Sequence, residues 1–141
     1  MSDGYSGTPL LKKLGIKDGT RALIMAAPRS MQEITEFSGY MHCETTLTIG
    51  PRDRDYIHWF TASRHELVIT IDQVCARLHP QGMLWLSWPK KASKVPTDIS
   101  EDVLRAVVLP THLVDTKVCA VNDVWSGLKF MWRKDYRVKL M

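Results

Sequence analysis

Between an apolar stretch and the start of a helix the chain reads Trp88-Pro-Lys-Lys-Ala-Ser-Lys-Val-Pro-Thr-Asp98, and its residue types suit ligand chemistry. Lys90 and Lys91 bring positive charge directly after a strand, while Ser93, Thr97 and Asp98 add donors and an acceptor. Ligands of open α/β sheets bind outside the carboxyl ends of strands, and helix N-termini attract anions. The loop is therefore expected to take an anionic ligand: a phosphorylated metabolite, a nucleotide or an acidic peptide. It runs from Pro89 to Ile99, whereas such connections usually take about two to six residues, and surplus length in a loop often serves function. The competing reading is a connector stiffened by two prolines whose lysines keep it solvated. Trp125, placed in the turn of the closing hairpin, adds a flat surface on which a base could stack.

Other chemistry is harder to assemble. The five histidines (His42, His58, His65, His79, His112) show no HxH or HExxH spacing, so no metal is expected. No GxSxG elbow is present, and Cys75 and Cys119 fall on an apolar helix face and in a strand. No catalytic residue is assigned. Cys43, Cys75 and Cys119 form no CxxC pair and are odd in number, which argues against a disulfide framework and for a cytoplasmic protein. The formal net charge is +4. Its excess gathers in the loop lysines and in Arg133, Lys134, Arg137 and Lys139, so a nucleic-acid or protein contact through the basic tail is an alternative.

The elements that must position these residues alternate between strand and helix. Thr8-Pro-Leu-Leu-Lys-Lys-Leu-Gly15 has threonine as N-cap, proline at the first helical position and glycine past the end. Arg21–Ala27 is apolar on both faces, as a central strand is, and Pro28 stops it. A weak helix over 30–37 leads to a threonine-rich strand over 44–49, then to a two-sided apolar strand over 55–61. Ser63 and Glu66 form a capping box, behind which Leu67, Ile71, Val74, Cys75 and Leu78 make one helical face. His79–Gly82 breaks that helix before the buried strand Met83–Trp88. Ser100 starts the next helix, with Ile99 and Leu104 spaced as a hydrophobic staple. Strands over 115–121 and 127–134 flank a turn at Asn122-Asp123.

The pattern predicts a Rossmann-like three-layer α/β sandwich, with a mixed, mostly parallel sheet ending in an antiparallel hairpin. One domain covers 1–141, with a helical arm over 1–20 and a basic tail over 135–141. The strands at 44–49 and 55–61 are too close for a parallel crossover between neighbours, so the first is antiparallel or displaced to an edge. The hydrophobic fraction of 45% suits a packed globule. No apolar run is long enough for a membrane span, and a homodimer is the default assembly.

Two resemblances add to this. The strand after Pro80-Gln-Gly82, the following helix and the closing hairpin resemble the last sixty or so residues of a class I S-adenosylmethionine-dependent methyltransferase. That likeness implies a cofactor turn with glycines after the first strand and a ribose-binding acid at the end of the second. Here those places read Ala26-Ala-Pro-Arg-Ser30 and Ile49-Gly50, so no cofactor is expected. A non-catalytic module at the loop is the main reading, and a divergent methyltransferase-like enzyme is the alternative. The segments Gly4–Leu10 with Lys12–Lys17, Trp88–Lys91 with Thr97-Asp98, and Val114–Val121 with Trp125–Lys129 are similar to signature segments of an uncharacterised bacterial family. It is catalogued as a domain of unknown function, and implies a small cytoplasmic bacterial protein with no assigned catalytic residues.

Overall fold

The computed structural model describes residues 9–141. Thr8 and the segment before it, including the expected N-cap and most of Gly4–Leu10, lie outside the described residues. Six strands form one sheet in the order β2-β1-β3-β4-β6-β5. They are β1 (Arg21–Met25), β2 (His42–Glu44), β3 (Arg54–Phe60), β4 (Leu78–Pro89), β5 (Leu113–Ala120) and β6 (Trp125–Trp132). The first four are mutually parallel, while β6 pairs antiparallel with both β4 and β5. The mixed, mostly parallel sheet with a terminal antiparallel hairpin matches the sequence expectation.

Helices cover both faces, and each face has its own core. On one, α3 (Arg64–Cys75) and α4 (Glu101–Val108) bury Leu67, Ile71, Val74, Leu104 and Val108 against Leu23, Ile57, Leu84, Leu86 and Leu128. On the other, α1 (Leu10–Leu14), a 3-10 turn at Arg29–Met31 and α2 (Gln32–Thr35) bury Leu14, Met31 and Ile34 against Ala22, Ile24, Tyr56 and Trp85. The starts of the two long helices follow from local sequence. Ser63 Oγ accepts the Glu66 N–H at 3.2 Å, and Ser100 Oγ accepts the Val103 N–H at 3.2 Å. Ile99 and Leu104 are both buried, as the staple requires. Gly15 ends α1 in the left-handed region at φ 86°.

Four elements differ from the sequence reading. The second strand is His42–Glu44, parallel to β1 at the sheet edge, and residues 45–53 are not a strand. The threonine alternation that suggested a strand instead dresses a crossover: Leu47 packs on the α3-side core, and the Thr48 carbonyl accepts from Arg77 at 2.8 Å. Because β1 sits between β2 and β3, this short crossover never has to join neighbouring strands. Second, β4 begins at Leu78 rather than Met83, with a register shift against β3 that absorbs Pro80–Gly82. Third, Trp125 is the first residue of β6, not part of the turn. Fourth, the basic tail is the helix α5 (Lys134–Leu140), where Tyr136 and Leu140 pack on the core. Among the described residues no helix is long and apolar enough to cross a membrane.

Candidate functional site

The loop after β4 is built by its own polar side chains. Pro89 is the register partner of Trp125, and the Lys90 N–H donates to the Val124 carbonyl at 2.6 Å, tying the strand end to the hairpin tip. A 3-10 turn over Lys91–Ser93 follows, closed by Ser93 Oγ donating to the Lys90 carbonyl at 2.6 Å. Thr97 Oγ1 donates to the Ala62 carbonyl at 2.8 Å and accepts the Ile99 N–H at 3.1 Å. Asp98 Oδ1 accepts the Arg64 N–H at 2.7 Å, at the exposed first turn of α3. Ser93, Thr97 and Asp98 thus fold the loop and fasten it to the start of α3.

A cleft of about 650 Å³ opens between this loop and the first turn of α4. Of the expected ligand residues its walls include Lys91, Thr97 and Asp98, and not Lys90, Ser93 or Trp125. Trp125 lies on the opposite side of the sheet, edge-on to Phe60 with ring centroids 5.3 Å apart, beside the Trp85 core. Gly127 allows that packing, since a Cβ there would meet Val121 Cγ2 at 2.9 Å and Trp85 Cε3 at 3.1 Å. The cleft is not a plain anion site. Lys91 and Arg105 face Asp98, Glu101 and Asp102, and Arg105 is engaged by Glu101 at 2.9 Å and Asp115 at 3.2 Å.

A second place of interest lies at the topological switch point. The chain leaves β1 toward β2 and returns on its other side as β3, so a crevice opens above Met25 and Phe60. Ala26, the first residue beyond β1, is exposed and holds φ 58°. An L-residue adopts this left-handed conformation at a cost of about 1–2 kcal/mol. One residue of the turn therefore has the left-handed conformation that glycine favours, carried by alanine, the smallest residue with a Cβ.

The neighbouring acid departs from expectation in another way. With β2 ending at Glu44, a carboxylate does stand at the end of the second strand, in place of Ile49-Gly50. It is opposite Leu23, two positions short of Met25, and does not reach the carboxyl edge. Glu44 Oε1 accepts from Arg54 Nη2 at 2.6 Å, Arg54 Nε at 2.9 Å and Arg77 Nη2 at 3.2 Å. Arg54 and Arg77 are both buried and lie side by side at the start of the paired strands β3 and β4, where the Arg54 N–H donates to the Arg77 carbonyl at 3.0 Å. The hydrogen bond from Arg54 holds the Glu44 carboxyl below the usual range.

Under the crevice runs a buried polar chain. Tyr56 Oη lies 2.6 Å from His58 Nδ1, and His58 Nε2 lies 2.7 Å from Ser87 Oγ. His58 stacks on Phe60 with ring centroids 4.2 Å apart, and burial lowers its pKa to about 3. All three side chains are sealed from solvent, so the serine–histidine contact has no route to a substrate. The sequence places Tyr56 and His58 on one strand face. Ser87 joins them only through the β3–β4 register, in which Phe60 faces Ser87.

Comparison with solved structures matches this architecture over nearly the full chain. A SAM dependent methyltransferase from Aquifex aeolicus superposes with a TM-score of 0.63 at 13% identity, covering 88% of each chain. A DhpI–SAH complex gives a TM-score of 0.59 at 10% identity, covering 89% of this chain and 82% of that one. Magnesium protoporphyrin IX methyltransferase from Synechocystis with bound SAH gives 0.56 at 11% identity, covering 87% and 78%. The chain has the fold of these proteins, and the likeness extends well beyond its last sixty residues. No family model matches the chain, and no curated protein does. The segment-level similarity to the uncharacterised bacterial family remains an expectation from sequence.

Proposed function

We propose that this chain is a divergent methyltransferase-like protein that binds S-adenosylmethionine, or its demethylated product, above β1 and β3. The acceptor would then occupy the cleft bounded by Lys91, Thr97, Asp98 and the first turn of α4. The observation that carries this reading is the extent of the fold match, 88% of both chains, which leaves little of either outside the shared architecture. Fold alone does not confer chemistry. The residues fit the cofactor in part. Ala26 alone in the Ala26–Ser30 turn has a left-handed backbone, the conformation a glycine would favour there, while Glu44 is committed to Arg54 and Arg77 and offers no ribose contact. When bound, the cofactor would supply an electrophilic methyl group. The chain's own part is to present the turn and to hold the acceptor at the cleft.

Isothermal titration with S-adenosylmethionine and with S-adenosylhomocysteine tests this directly. Saturable heat is expected for at least one of them, lost in an Ala26→Asp variant that places bulk and negative charge at the turn. No heat with either compound at millimolar concentration would sink the reading.

A second reading is a non-catalytic module that uses the cleft alone, and the engagement of Glu44 by two arginines favours it. The mixture of two basic and three acidic side chains around the cleft suits a small zwitterion better than a bare phosphate. The Ala26→Asp variant separates the two, because binding at the cleft alone uses none of that turn and would survive the substitution.

A further inference from the structure

The molecule's positive excess does not reside in the cleft, and part of it collects where α1 crosses the closing hairpin. Lys117 on β5 and Lys129 on β6 are direct register partners. They share a sheet face, the one that carries Trp85 and α1, because Lys129 is in turn the β6 partner of Trp85. Lys13 reaches into the same seam: its Nζ donates to the Ala120 carbonyl at 2.8 Å. Lys117 Nζ returns the contact, lying 3.4 Å from the Lys13 carbonyl. Lys13 and Lys117 thus interlock across the seam, Lys129 is the register partner of Lys117 on the same sheet face, and Lys12 adds a fourth charge on the same short helix.

Among the described residues no carboxylate pairs with Lys13, Lys117 or Lys129. The arginines Arg21, Arg54, Arg77 and Arg105 are each matched by an acid. Like charges directly opposite on a sheet are destabilising. A lysine on an edge strand has a structural use, since it discourages pairing with another chain. That use covers Lys117 on β5 and leaves Lys129 unexplained, because β6 is flanked on both sides. The two carbonyl contacts orient the ammonium groups without neutralising them.

We propose that this seam binds the phosphate backbone of nucleic acid. Lys12 and Lys117 are exposed and Lys13 and Lys129 are half-buried, so all four keep contact with solvent. Ammonium groups are compact point charges on flexible stems. Spread along the seam between α1 and the hairpin, they match a row of phosphates better than one enclosed anion. The inference is independent of the cofactor reading, since it uses a different surface and other residues.

The test is fluorescence anisotropy with a labelled single-stranded RNA oligonucleotide, titrated across a range of salt concentrations. Wild-type protein is expected to bind, with log K falling linearly in log salt. The Lys117→Gln/Lys129→Gln double variant should lower the magnitude of that slope by roughly 1.4, at about 0.7 for each lost phosphate contact on a single strand. A Lys134→Gln/Lys139→Gln variant removes the same charge from α5 and should leave the slope unchanged. Thermal unfolding serves as the fold control: relief of the like-charge pair should leave the melting temperature equal or higher. The proposal is overturned if wild type fails to bind at low salt or if the seam variant keeps the full slope. It is overturned equally if only the α5 variant loses binding.

Discussion

His58 shows how a single residue's role follows from its surroundings. Held between Tyr56 and Ser87 and stacked on Phe60, it refuses a proton until the pH reaches about 3. In the unfolded chain its pKa returns to about 6.5. Between those values the unfolded state binds the proton and the folded state does not. Folding stability contributed by this site is therefore complete above about pH 6.5 and falls as the pH drops, by roughly 1.4 kcal/mol per unit. The expected outcome is a loss of about 2 kcal/mol between pH 6.5 and 5 beyond that of a His58→Gln variant, read by urea denaturation. An NMR titration of the His58 ring with a midpoint near 6.5 in the folded protein would refute the assignment. That His58 is a satisfied core histidine was legible from its place in an apolar strand. Its serine partner was not, because cross-strand neighbours depend on register.

Among the elements, the long 89–99 loop changed most in meaning. Its length appears in the sequence as a surplus, but Thr97 and Asp98 use it to reach Ala62 and the first N–H of α3. Asp98 is thus a remote cap for α3 alongside Ser63. Asp98→Ala is expected to destabilise the fold by about 1 kcal/mol, the usual worth of an N-cap, while Lys91→Ala, with its side chain exposed, should change stability little. Chemical denaturation of both variants provides the check, and equal midpoints would show that the Asp98–Arg64 contact contributes nothing. The caps at Ser63 and Ser100 and the staple of Ile99 on Leu104 were readable because they involve residues within a few positions of one another. The tether from Asp98 to Arg64 spans two elements and carries no local signature.

At the scale of the whole molecule, the crossover from β2 to β3 is the point where the fold is most economical. Nine residues, 45–53, pass over β1 without a helix. Arg77 holds them down through the Thr48 and Pro51 carbonyls at 2.8 and 2.9 Å and joins Glu44 at 3.2 Å. Removing one partner from such a buried ionic cluster is strongly destabilising, so Arg77→Met should cost about 3 kcal/mol. Hydrogen exchange should localise the loss to residues 45–53, and unchanged protection there would discount the clamp. Such an arrangement is invisible to periodicity, which read a strand at 44–49 from alternating threonines. The sequence by itself determined the α/β class, the two-sided central strands, the helix starts and the antiparallel finish, because caps and burial patterns act within one element. Only the tertiary structure decided that Glu44 is spent on arginines, that Trp125 lies across the sheet from the cleft, and that Lys117 faces Lys129. Each depends on strand order and register, which are set by the packing of distant segments and have no counterpart in local spacing.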